Sequence, residues 1–176
     1  MPTIYSLIEE GLKKDSVHFD LQDKLWKLLE ILVEIGTFTN ERDDYPESDT
    51  DSLTMSINNL NGMSFHAIYQ YAIWYEKHSE SKRVLVQKVK KIFDDYLDKK
   101  LGGHTISRHA VLGVNFPNFY YFDREWTKRI LEKIVSSKNT KIAFWDGYVS
   151  WNQLHRYAFA DLHSLYNEFL NKDLVR

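Results

Sequence analysis

The chain has 176 residues, enough for one domain, and it lacks cysteine, which excludes disulfides, thiolate zinc sites and a cysteine nucleophile. Its net charge of -2 argues against a dedicated nucleic-acid binder. No apolar run approaches the ~18 residues of a membrane span, and no signal-peptide pattern starts the sequence. We therefore expect a cytoplasmic protein with no membrane segment, and the sequence indicates no cofactor.

The first two predicted elements form a helical pair over residues 1–36. A short helix over residues 3–14 is predicted from one apolar stripe, made of Ile4, Leu7, Ile8 and Leu12. A longer amphipathic helix follows, with Asp20 as its expected N-cap and Gly36 as its expected stop.

Residues 37–52 change character, because acidic side chains dominate and Pro46 interrupts them. The acids do not have the spacing of an EF-hand loop, and no glycine occupies the turn position, so no metal site is predicted. The expectation is an exposed acidic linker.

The most apolar helix is predicted to follow Asn61 and to end near His78, after a short helix around Ile57. Apolar residues lie on nearly all of its faces, which is typical of a helix that packs on more than one side. We expect it to be the central helix of the domain. Asn61 is its expected N-cap, where Asn61-Gly62 would break the preceding helix.

The remaining predicted elements are also helices. Residues 82–100 form one, and its cluster of lysines is interpreted as a solvated face balanced by the aspartates that follow. Thr105 is expected to cap a short helix that ends at Leu112, ahead of an irregular aromatic segment bracketed by Gly113 and Pro117. The expected caps of the next two helices are Asp123 and Thr140, and a last helix follows Asn152.

No stretch shows two-residue alternation, so the predicted class is all-α. We expect a helical bundle or a short α-solenoid of antiparallel helix pairs, as one domain over residues 1–176 with its main helical array over residues 53–176. No sequence repeat recurs at a fixed period.

Aromatic residues make up 15% of the chain, a high share that permits two interpretations. The rings fill gaps between helices, or some of them form a patch that binds a protein, since Trp and Tyr dominate interface hot spots. The candidate protein-binding residues are Phe119, Tyr120, Tyr121, Trp145, Tyr148 and Trp151.

Catalytic signals are weak. The seven histidines show no zinc-type spacing, and there is no phosphate-binding glycine loop and no nucleophile elbow. Arg156 and His163, separated by six residues, fit the loose Arg-x4–6-His pattern of HEPN-type ribonucleases, which this chain resembles in being a compact helical bundle. In such enzymes the arginine would stabilise phosphate charge and the histidine would act as acid or base. This pair is the alternative catalytic candidate.

Three stretches carry a second resemblance: DSLTMSINNLNGMSFHAIYQYAIWYEKH (51–78), SRHAVLGVNFPNFYYFDREW (107–126) and AFWDGYVSWNQLHRYAFADLHSLY (143–166). Together they are similar to the C-terminal helical regions of large bacterial STAND-type NTPases and related antiphage defence proteins. The resemblance implies a helical array that senses a phage protein, next to a P-loop NTPase and an effector. This chain has no P-loop, so the resemblance implies a sensor fragment of a larger polypeptide, without nucleotide binding at that motif.

The leading hypothesis from the sequence is a non-enzymatic protein-recognition module of a larger bacterial defence or signalling NTPase, binding a protein ligand such as a phage component. The alternative is a HEPN-like, metal-independent ribonuclease that uses Arg156 and His163. A third option is a structural scaffold with no ligand of its own.

Overall fold

The computed structural model describes residues 4–38, 52–80, 86–101 and 105–151, and then Ala158, Ala160, Leu162, His163 and Asn167. The fold is all-α, as predicted, and none of the described residues belongs to a strand. The linker at 39–51 and most of the last predicted helix lie outside the described residues.

Eight helices occur within the described ranges. Their bounds are α1 Ile4–Lys13, α2 Gln22–Phe38, α3 Ser52–Asn58, α4 Leu60–His78, α5 Gln87–Leu97, α6 Ile106–Phe122, α7 Arg124–Ile134 and α8 Lys138–Trp151, with a 3₁₀ turn at Phe19–Leu21 before α2. None of the helices in these ranges is both long and apolar enough to cross a membrane.

Helices α1 and α2 pack on α4, but the buried stripe of α1 differs from the predicted one. The side chains that face the core are Tyr5, Ile8 and Leu12, whereas Ile4 and Leu7 are 48% and 56% exposed. The Tyr5 ring is buried and its Oη donates a hydrogen bond to Leu32 O of α2 at 3.1 Å. This large ring turns the helix so that its other apolar flank stays in solvent.

Helix α4 begins two residues earlier than predicted. Asn59, not Asn61, is the N-cap, because Asn59 Oδ1 accepts a hydrogen bond from Gly62 N at 2.8 Å. Gly62 lies inside the first turn of α4, where a Cβ would stand 2.0 Å from Ser56 O. The glycine therefore permits α3 to contact α4 backbone to backbone instead of breaking a helix.

Helix α6 shares the centre of the fold with α4, since it packs against α3, α4, α7 and α8. The predicted stop at Leu112 is wrong, because α6 continues through Gly113 and Pro117 to Phe122. A proline in a helix interior costs about 3 kcal/mol. Burial of the rings that follow, Phe119 among them, offsets that cost.

Helices α6 and α8 touch through two glycines. A Cβ at Gly113 would lie 2.0 Å from Phe144 O, and a Cβ at Gly147 would lie 2.0 Å from Ala110 O. Each helix thus presents a glycine to a backbone carbonyl of the other. The two axes approach far more closely than side chains at these positions would allow.

Of the five predicted N-caps, Thr105 and Asp123 are confirmed, Asn59 takes the place of Asn61, and Asp20 lies inside the 3₁₀ turn that precedes α2. Thr105 Oγ1 accepts from Arg108 N at 3.3 Å, and Asp123 Oδ1 accepts from Trp126 N at 3.0 Å. Helix α8 instead begins at Lys138. Its first turn is closed by Ser137 and Thr140, each hydroxyl lying 3.3 Å from the other residue's backbone N.

Candidate functional site

The predicted aromatic residues are mostly part of the core. Phe119 and Trp145 have no exposed surface, and Tyr120 and Tyr148 retain 4% and 1%. Only Tyr121 among the described members is exposed, and the side chain of Trp151 lies outside the described residues.

Phe119 packs edge to face on Tyr69 of α4 with ring centroids 5.7 Å apart, and Trp145 packs edge to face on Tyr148 of the same helix at 5.5 Å. Their packing corresponds to the gap-filling interpretation of the aromatic share. Among the described members of the set, Tyr121 is the ring that a binding partner can reach.

The alternative catalytic pair is not seen as a pair. Arg156 lies outside the described residues, whereas His163 is exposed, with its Nδ1 3.5 Å from Asn167 Nδ2. Within the part of the chain that the structure describes, no three histidine or acidic side chains converge in a metal-binding group.

A buried polar cluster that the sequence did not indicate forms where α2, α5 and α6 meet. Arg108 is 1% exposed, and its guanidinium donates to Leu101 O at 3.0 Å and to Val33 O at 3.3 Å. Beside it, Tyr96 Oη accepts from Thr105 N at 2.8 Å and lies 2.7 Å from His109 Nδ1. Because these groups are shielded from solvent, the cluster ties three helices together and offers no surface to a substrate.

The groove between α5 and α7 is lined by charges of both signs and has a volume of about 660 Å³. Asp98 pairs with Lys133, and Asp94 lies 3.4 Å from Arg129 Nη2. A side-chain hydrogen bond from Lys133 lowers the pKa of Asp98. Since the cations of this groove are paired with carboxylates, they do not form a free phosphate-binding face.

Lys88 occupies a cage of aromatic rings formed by α2 and α4. Its Nζ lies 5.0 Å from the ring centroid of Trp26, 5.3 Å from that of Tyr71 and 5.8 Å from that of Tyr75, and 3.5 Å from Asp23 Oδ1. Cation–π attraction of this kind is worth about 0.5–2 kcal/mol. The cage fastens α5 to the rest of the fold.

An aliphatic surface remains on α1 and α2. It consists of Ile4, Leu7, Ile31 and Ile35, which are between 45% and 56% exposed. The spacing of three residues on α1 and four on α2 places each pair on one flank of its helix. The hydrogen bond from Tyr5 to Leu32 O links α1 to α2, and both helices pack on α4.

This aliphatic surface is the candidate interaction site. Single exposed aliphatic residues are normal, but a grouped apolar surface is typical of a protein contact. The sequence-based prediction placed Ile4 and Leu7 in the core. The signal for the site was that α1 has more apolar residues than one buried stripe needs, and the prediction assigned all of them to that stripe. No known protein family, curated protein or solved structure matches this chain.

Proposed function

We propose that this chain is a non-enzymatic protein-recognition module that binds a protein ligand through the aliphatic surface of α1 and α2. The observation that supports the proposal is the exposure of Ile4, Leu7, Ile31 and Ile35 on two helices that both pack on α4. Removing such side chains from water on binding contributes ~25 cal/mol per Å² of apolar area.

The proposed setting is the cytoplasm, within a larger bacterial defence or signalling NTPase. The likeness of residues 51–78, 107–126 and 143–166 to sensor regions supports this setting. A phage component is the proposed ligand, and its binding would shift a conformational equilibrium in the remainder of the polypeptide.

The test measures binding of the purified chain to individually expressed proteins of one phage by biolayer interferometry. We expect one component to bind, and the double variant Ile31→Ser/Ile35→Ser to weaken that binding by at least tenfold, because interface anchors carry most of the affinity. The matched control is Glu30→Ser/Glu34→Ser, which changes exposed residues of the same helix to the same amino acid. Equal losses in both variants, or binding by no component, would contradict the proposal.

The ribonuclease alternative is tested on the same protein. The chain is incubated with labelled single-stranded RNA without divalent metal, alongside the variants Arg156→Ala and His163→Ala. The recognition proposal expects no cleavage above a buffer control. If the chain cleaves RNA and either substitution abolishes the cleavage, the recognition proposal is wrong and the ribonuclease alternative takes its place.

A further inference from the structure

Helices α1, α3, α4 and α6 surround a cavity on the flank of α1 opposite to the aliphatic surface. Its volume is about 460 Å³, within the ~300–1,000 Å³ that small-molecule pockets occupy. Apolar walls come from Leu53 and Ile57 of α3, Met63 of α4 and Val114 of α6.

The polar groups of this cavity include two carboxamides from different helices. Asn115 of α6 is 3% exposed, and its one hydrogen bond to a described residue is from Nδ2 to Val111 O at 2.9 Å, so Oδ1 accepts none. Gln70 of α4 lines the same cavity. Gln70 is half-buried, and a ligand that enters the cavity can form hydrogen bonds with both carboxamides, each contributing about 0.5–1.5 kcal/mol.

The cavity carries no net charge. Glu9 and Lys13 of α1 line it and form an ion pair with each other. His66 of α4 also lines it, and burial lowers the pKa of its imidazole, which keeps the ring neutral at pH 7. Its Nε2 lies 3.5 Å from Ser56 Oγ. A phosphate or another strongly charged group therefore finds no counter-charge.

We propose that this cavity binds the adenine base of a neutral nucleoside. The side chains of Asn and Gln present a donor and an acceptor side by side, which complements the adjacent N6 donor and N7 acceptor of adenine. Guanine presents two adjacent acceptors, which arginine or lysine recognises, and the single lysine of the cavity is paired with Glu9. The apolar walls cover the faces of the base, and the proposal does not depend on the aliphatic surface.

The experiment is isothermal titration calorimetry of the full chain with adenosine, with guanosine and adenosine 5′-monophosphate as comparators. We expect adenosine to bind with a Kd below about 1 mM, at least fivefold tighter than guanosine and no weaker than the monophosphate. Gln70→Leu keeps the size of the side chain and should weaken adenosine binding about tenfold. The exposed Gln87→Leu on α5 is the matched control and should leave it unchanged.

A second pair separates a loss of ligand contacts from a loss of folding. Asn115→Leu should weaken binding, whereas Asn118→Leu, an exposed position on the same helix, should not, and circular dichroism confirms that each variant is folded. The proposal is overturned if adenosine does not bind, if guanosine binds equally well, if the monophosphate binds much more tightly, or if binding survives both cavity substitutions.

Discussion

Substitution of Gly147 by alanine places a methyl group where α8 touches the backbone of α6. That Cβ would stand 2.0 Å from Ala110 O, far inside the ~3.5 Å at which nonbonded atoms attract each other. The obstructing atom is a backbone carbonyl in the middle of α6, so no side-chain rotation relieves the overlap. The helices must separate along their whole contact.

The cost follows from what that contact buries. Phe116, Phe144 and Trp145, which lie at or beside it, have no exposed surface. Overpacking in a tight core costs about 1–3 kcal/mol, and separation adds lost contacts to it. Alanine recovers about 1 kcal/mol through its higher helix propensity. We expect Gly147→Ala to lower the free energy of unfolding by ~2 kcal/mol net.

The assay is urea unfolding followed by circular dichroism at 222 nm. The matched control is Gly11→Ala in α1, where the nearest atom to the new Cβ is a side-chain methyl of Val17 at 3.3 Å and not a backbone carbonyl. At that position the higher helix propensity of alanine should outweigh the contact, so the free energy of unfolding should equal or slightly exceed that of the parent protein. If Gly147→Ala is as stable as the parent protein, the close approach of α6 and α8 is refuted.

Three further predictions concern single side chains. Burial lowers the pKa of His66, so the folded protein favours the neutral imidazole, and the stability should fall as the pH drops below about 6.5. Thermal melts from pH 5 to 8 should show a smaller fall in His66→Gln. Identical pH profiles of the two proteins would contradict this. Lys88→Met should cost about 1 kcal/mol in urea unfolding because it removes the charge from the aromatic cage, whereas the exposed Lys91→Met should cost less than half of that. Asp123→Ala should cost about 1–2 kcal/mol or more, because it removes both the α7 cap and the partner of the buried Lys90. Asp20→Ala, at an exposed site, should be neutral, and equal values for the two variants would refute the stabilising role of Asp123.

The sequence predicted the all-α class and the caps Thr105 and Asp123 because these depend on local chemistry. Helical periodicity and a side-chain oxygen three residues before a backbone N–H are both visible in the sequence. The failure at Leu112 has the opposite origin. Glycine and proline are local helix breakers, yet Gly113 and Pro117 stay in α6 because tertiary burial outweighs their propensity.

Exposure of the rings could not be derived from the sequence. Tyr120 and Tyr121 are neighbours of the same type, and one is buried while the other is exposed. Which of them faces inward depends on helices that arrive from elsewhere in the chain. Gln70 and Asn115 likewise come from separate helices, so only the packing of α4 on α6 brings their carboxamides to one cavity.

Photo-crosslinking tests the location of the proposed binding surface most directly. The photoreactive residue p-benzoylphenylalanine replaces Ile31 in one sample and Tyr121 in another, and each is irradiated with the phage component that binds the chain. Our account predicts an adduct from position 31 and none from position 121, the exposed member of the aromatic set. An adduct from position 121 alone would contradict recognition through α1 and α2.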